Sequence, residues 1–166
     1  MVKIGIVNGS EGVLTSRRCF LGCDKASKIV FKGDVTMAPG STLKAVQGGI
    51  LTIGDKDSFN YHCTILCKKS ITIGDKVMTG WNILISDGDG HTIENEAGNQ
   101  INNPQKIVIG HQVWLGANTT ILKGVFINDN SIIGMGSIVT KSIEQKNVIA
   151  VGIPARVVKE GVEWHH

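Results

Sequence analysis

From Ile109 onward an aliphatic residue returns at every sixth position, at Leu115, Ile121, Ile127, Ile133 and Val139, with no exception over that stretch. Four residues after each comes a second column, Val113, Thr119, Val125, Ser131 and Ser137, in which β-branched residues relax to serine. Turn-prone residues follow the aliphatics at Gly110, Gly116, Asn128 and Gly134. A period of six is neither the 3.6 of an amphipathic helix nor a plain alternation of two, so no helix can hold all these aliphatics on one face. A short strand followed by a turn can. Three such units per coil build a triangular prism of parallel strands, each coil burying the apolar edge of its neighbour.

Earlier in the chain the hexads are less regular, visible at Ile53, Phe59, Ile65 and Ile71 and again, after a two-residue shift, at Ile73, Thr79 and Ile85. The segments beginning Ile50-Leu51-Thr52-Ile53-Gly54, Ser70-Ile71-Thr72-Ile73-Gly74 and Lys106-Ile107-Val108-Ile109-Gly110 match one another and read as the same corner of successive coils. Periodicity does not give the hand of the coil. Between Ser86 and Gln105 the pattern is interrupted by a polar stretch rich in Gly, Asn and Asp, which reads as a loop extruded from the scaffold and long enough to carry function.

One domain accounts for 166 residues. The expected organisation is a lead-in or cap over 1–28, coils over 29–85 and 106–151, the extruded loop over 86–105 and a tail over 152–166. His165 and His166 are set aside as the kind of pair a purification tag leaves. Only 5% of residues are aromatic against 42% hydrophobic, so Ile, Val and Leu carry the core and favour β stacking. No apolar run is long enough to span a membrane, and the opening residues lack the apolar core of a signal peptide, which together lead to the expectation of a cytoplasmic protein without membrane insertion. Seventeen Lys and Arg against 14 Asp and Glu is too small an excess to argue for nucleic acid, though a small anionic ligand fits. The pairs Cys19/Cys23 and Cys63/Cys67 suggest zinc at first sight, but the spacing is not that of CxxC knuckles, and reduced structural thiols are the plainer reading.

The run IGHQVWLGANTTILKGVFINDNSIIGMGSIVTK, followed by NVIAVGIPARVVK, resembles the hexapeptide-repeat acetyltransferases, close to their galactoside and maltose O-acetyltransferase branch. The resemblance covers about Gly48 to Lys159, and DGHTI stands where that family's loop brings its catalytic histidine. The first third is similar only through its hexads, without the long helical amino-terminal segment of those sugar enzymes, which suggests the related enzymes that acetylate capsule or O-antigen polysaccharides. The resemblance implies an all-β fold, a left-handed parallel β-helix, in a homotrimer with active sites between subunits. It also implies acetyl-CoA as co-substrate along the outside of the prism, with no metal.

Acetylating a hydroxyl requires a base for the alcohol and a donor for the oxyanion of the tetrahedral intermediate. Histidine, with an ordinary pKa near about 6.5, suits the first task, and the resemblance assigns it to His91. His62 and His111 sit at turn or outward positions within hexads. Asn60 aligns with a family asparagine implicated in acceptor or oxyanion contact, although as a residue it is equally a turn former. Asp87 or Glu94 is expected to orient His91. Carried over by position, Trp114, Ala117, Met135, Thr140 and Lys141 line the coenzyme track, while Arg156 and Lys159 reach its phosphates, a role suited to a guanidinium fork. Three other readings stay open: N-acetylation of an amino sugar, a carbonic-anhydrase-like zinc enzyme using His62, His91 and His111, and a non-catalytic scaffold.

Overall fold

A computed structural model describes residues 2–4 and 18–165 of the chain. The chain is a left-handed parallel β-helix, whose strands take its three faces in rotation from β1 to β17. The first face stacks β1 (Val2–Ile4), β4 (Val35–Met37), β7 (Asp57–Phe59), β10 (Met78–Thr79), β13 (Trp114–Leu115), β16 (Ile132–Ile133) and β18 (Val148–Gly152). The second stacks β2 (Phe20–Cys23), β5 (Thr42–Ala45), β8 (Thr64–Cys67), β11 (Leu84–Ser86), β14 (Thr120–Ile121) and β17 (Ile138–Val139). The third holds β3 (Lys28–Phe31), β6 (Ile50–Ile53), β9 (Ser70–Ile73), β12 (Ile107–Ile109) and β15 (Phe126–Ile127). A final strand, β19 (Ala155–Glu160), turns back antiparallel on β18. No helix among the described residues is long and apolar enough to cross a membrane.

Both sequence columns point inward. Ile109, Leu115, Ile121, Ile127, Ile133 and Val139 are buried, and so are Val113, Thr119, Val125, Ser131 and Ser137. Because the six-residue unit visits each face in turn, like stacks on like eighteen positions apart: Ile109 on Ile127, Leu115 on Ile133, Ile121 on Val139. Earlier coils are larger. Leu43 pairs with Ile65, 22 positions on, and Thr52 with Thr72, 20 positions on. Their strands run to four residues and bury alternate positions, as Ile71 and Ile73 do on β9, and this is the source of the two-residue shift.

The three matching segments do form one corner. There the backbones of successive coils close up, so that a β-carbon on Gly74 would lie 2.7 Å from the Gly110 carbonyl carbon, and glycine is required. Side chains stitch the same corner along the axis. The Asp55 amide donates to Asp75 Oδ1 (2.9 Å), that of Asp75 to His111 Nδ1 (3.0 Å), and that of His111 to Asp129 Oδ1 (2.7 Å).

Coiling starts earlier than the hexads suggest. Phe20–Cys23, within the stretch read as a lead-in, pairs in parallel with Thr42–Ala45, and Val2–Ile4 with Val35–Met37. The rest of that stretch, 5–17, lies outside the described residues. The repeat is hidden there because the coil is 22 residues long and its outward positions include Phe20, which is exposed.

Candidate active site

An apolar groove of about 410 Å³ runs along the corner between the first and second faces. Its floor is the outward row Met78, Trp114 and Ile132, which are register partners on β10, β13 and β16. Its rim is the turn that follows each of these strands, Gly80-Trp81, Gly116-Ala117 and Gly134-Met135. The prism makes such a groove because two-residue strands put each outward side chain directly above its counterpart. Met135, at 72% exposure, and Trp81 are open to solvent along it. Four sequence-selected residues meet here: Asn60, Trp114, Ala117 and Met135. Asn60 uses its Oδ1 to accept the Tyr61 amide at 2.8 Å, so its turn-forming role is real. Its Nδ2 has no partner among the described residues and remains available to donate.

The opposite edge of the second face carries the other half of the candidate residues. Lys141 follows β17 at the corner between the second and third faces, where it shares a depression of about 320 Å³ with Arg156 from β19. Thr140 is exposed beside it. Lys159 lies outside both hollows, exposed on the outer strand opposite Ile149.

The loop leaves the prism at the same corner, between β11 and β12. It is pinched at its base, where the Gln105 amide donates to the Asp87 carbonyl at 2.8 Å. Within it Ile93 and Ile101 are joined by a backbone hydrogen bond of 2.9 Å, and Glu94 bridges to Gln100 in a small hairpin. His91 is exposed, and its ring has no hydrogen-bond partner among the described residues.

The expectation that Asp87 or Glu94 orients His91 is not met by this geometry. Asp87 is fully buried and accepts the amides of Lys68 (2.6 Å), Lys69 (2.8 Å) and Ser70 (2.7 Å). Both of its oxygens are committed to capping the neighbouring coil's corner, the usual fate of a buried carboxylate facing free N–H groups. Glu94 stands exposed in the hairpin without a bond to His91.

His111 is part of the axial stitching already described, and His62 is a left-handed corner residue at φ 60°. Among the described residues no three His, Cys, Asp or Glu side chains converge as a metal site. Burial pushes the thiols of Cys63 and Cys67 up to about 11 and about 12, so these two are structural and unreactive.

Residues 106–141 match the family model described as the hexapeptide repeat of succinyl-transferase. Galactoside O-acetyltransferase of Escherichia coli K12 is 41% identical over 116 residues, covering 68% of this chain and 55% of that protein. WbbJ of the same strain, whose name assigns it provisionally to lipopolysaccharide biosynthesis as an O-acetyl transferase, is 30% identical over 151 residues, covering 86% of this chain and 76% of WbbJ. The chain belongs to the hexapeptide-repeat acetyltransferases. The solved structure of NeuO, a polySia-specific acetyltransferase, superposes with a TM-score of 0.69 at 27% identity, covering 90% of this chain and 69% of NeuO. The chain spans about half the length of galactoside O-acetyltransferase.

Several residues of this hexapeptide-repeat acetyltransferase escaped the sequence reading. Trp164, in the tail, is buried, with its Nε1 donating to the Gln112 carbonyl (2.9 Å) and its own carbonyl accepting Gln112 Nε2 (3.1 Å). Its ring centroid lies 6.0 Å from that of Trp114, so the tail packs beside the floor of the groove. A tryptophan among the polar residues that close the tail, Glu163, His165 and His166, was the available signal. Asp89, Asn102 and Lys123, which organise the loop, gave none, since Asp and Asn are common turn formers.

Proposed function

We propose that this acetyltransferase transfers an acetyl group from acetyl-CoA to a hydroxyl of a sugar or polysaccharide, with His91 as general base. The observation that carries the proposal is the sorting of candidate residues onto two corners. Asn60, Trp114, Ala117 and Met135 lie at one edge of the second face, and His91, Thr140, Lys141 and Arg156 at or near the other. Trp81 and Asp87 bound that face six residues apart, a separation of roughly 20 Å in extended chain. A single chain therefore does not complete the site.

In a homotrimer with the second faces turned toward the threefold axis, one subunit's loop corner meets the groove corner of the next. Among the outward residues of that face Leu66, Leu84, Leu122 and Ile138 are apolar and none of them is buried, Leu84 and Leu122 being more than a third exposed, which favours burial in an assembly. The apolar groove suits a pantetheine arm, and Lys141 with Arg156 suits phosphates.

The acceptor hydroxyl gives its proton to the His91 ring as its oxygen bonds to the thioester carbon. Asn60 Nδ2 donates to the oxyanion that forms. As the carbon–sulfur bond breaks, the imidazolium returns the proton to the departing thiolate, leaving an acetyl ester and free coenzyme A thiol. The names of WbbJ and NeuO favour a polysaccharide acceptor. Thiol release from acetyl-CoA, measured across mono-, oligo- and polysaccharides, tests the reading. Release with hydroxyl acceptors is expected to fall by at least about 10²-fold in His91→Ala, with the fold retained. Full activity in that variant would remove His91 from the mechanism.

A further inference from the structure

Asn102 is buried in a run whose other residues, from Asp89 to Asn103, are exposed. Its side-chain amide is fully used. Nδ2 donates to the main-chain carbonyl of His91 at 2.7 Å and to Asp89 Oδ2 at 2.9 Å. Oδ1 accepts the Ile93 amide at 2.8 Å and Gln100 Nε2 at 3.4 Å. An amide nitrogen has two hydrogens, and both are spent on acceptors, while the oxygen faces two donors, so the reverse orientation would set like against like. One side chain thus holds the backbone at positions 91 and 93 and the carboxylate of Asp89, bracketing the histidine.

The bracket is itself fastened to the prism. Lys123 Nζ donates to Asp89 Oδ2 at 2.5 Å, and Lys68 Nζ to the Asp89 carbonyl at 2.5 Å. Lys123 Nζ also reaches the Asn102 carbonyl at 3.4 Å. The two lysines come from the corners after β14 and β8, the strands that pair with β11 on either side. The hydrogen bond from the Lys123 ammonium, with that from Asn102, holds the Asp89 carboxyl below its ordinary value. None of these contacts involves the groove or the Lys141–Arg156 depression.

We infer that Asn102, anchored through Asp89 to Lys68 and Lys123, is the positioning residue for His91: it sets the path of the loop backbone and thereby the reach of the imidazole, without touching substrate. This rests on the reading of His91 as the base. A loop histidine held only by solvent would sample many placements, and misplacement by about 1 Å costs on the order of 10²-fold in rate.

The test uses the full chain and the best hydroxyl acceptor from the panel, with two readouts. By hydrogen–deuterium exchange, Asn102→Ala should free the Ile93 amide while Ile85 and Ile121 in the coils stay protected. In steady-state kinetics kcat should fall roughly 10²-fold with KM for acetyl-CoA changed by less than about twofold, the signature of an interaction that serves the transition state rather than binding. Lys123→Met should lose part of the rate and Lys123→Arg should recover most of it. Wild-type protection of Ile93 in Asn102→Ala overturns the inference, as does a near-wild-type kcat in that variant while His91→Ala is inactive. Turnover by His91→Ala would instead defeat the reading of the base, and the exchange result would still decide whether Asn102 holds the loop.

Discussion

Two buried aspartates illustrate how position, more than residue type, sets the role of a carboxylate. Asp87 is surrounded by three backbone N–H groups and serves as a corner cap. Asp57, only 2% exposed, accepts one amide, from Val77 at 2.8 Å, and its Oδ2 is buried without a partner among the described residues. Burial, with lesser repulsion from Asp75 and Asp55, raises its pKa to about 7. The folded chain therefore retains a proton that the unfolded chain releases from about pH 4. Stability should accordingly decline as pH rises from about 4 through 7 and stay low above that. Asp57→Asn removes the buried charge and should stabilise the protein at pH 8 by on the order of 2–4 kcal/mol, with little effect at pH 4. Thermal melts at both pH values check this, and equal shifts at the two would refute it.

At the scale of elements, legibility follows strand length. Where strands have two residues the six-residue unit repeats without interruption, and the aliphatic column is plain from Ile109 to Val139. Where they have four, two inward residues share a strand, as on β9, and the hexad count slips. In the first 22-residue coil at the amino-terminal end it is not legible. The tail is the opposite case, an element with no period whose role comes from one long-range contact. Trp164→Ala should lower the melting temperature, as losing a buried aromatic does. It should also raise KM for acetyl-CoA by roughly 2–10-fold through loosening of Trp114, the range expected for one aromatic pair. Trp164→Phe, which keeps a ring but not the bond to Gln112, should be milder in KM. A melting shift with unchanged KM would confine Trp164 to stability.

At the scale of the whole molecule, the proposed trimer makes the second face both a spacer between half-sites and a surface to be covered. Placing charge on it, with Leu84→Glu and Leu122→Glu together, should leave the β-helix folded, because both side chains point outward and are exposed. The proposed trimer should dissociate, since charges in an apolar interface are not compensated. Light scattering and thiol release from the same sample test two statements at once. An active monomer would contradict the shared site, and an unchanged trimer would place the interface on another face.

The amino-acid sequence by itself determined the fold, because a solenoid's stability lies between neighbouring coils and its inward residues must recur in register. It determined which segment leaves the scaffold, since Ser86–Gln105 lacks any inward column, and through resemblance it singled out His91. What only the tertiary structure decided was which side chains meet across coils and across the loop: the commitment of Asp87 to the corner, the grip of Asn102 on His91, the return of Trp164 to Trp114, and the division of the candidate residues between two corners. Those contacts join positions from 11 to 52 residues apart, and a hydrogen bond or a ring contact between such positions imposes no period on the chain.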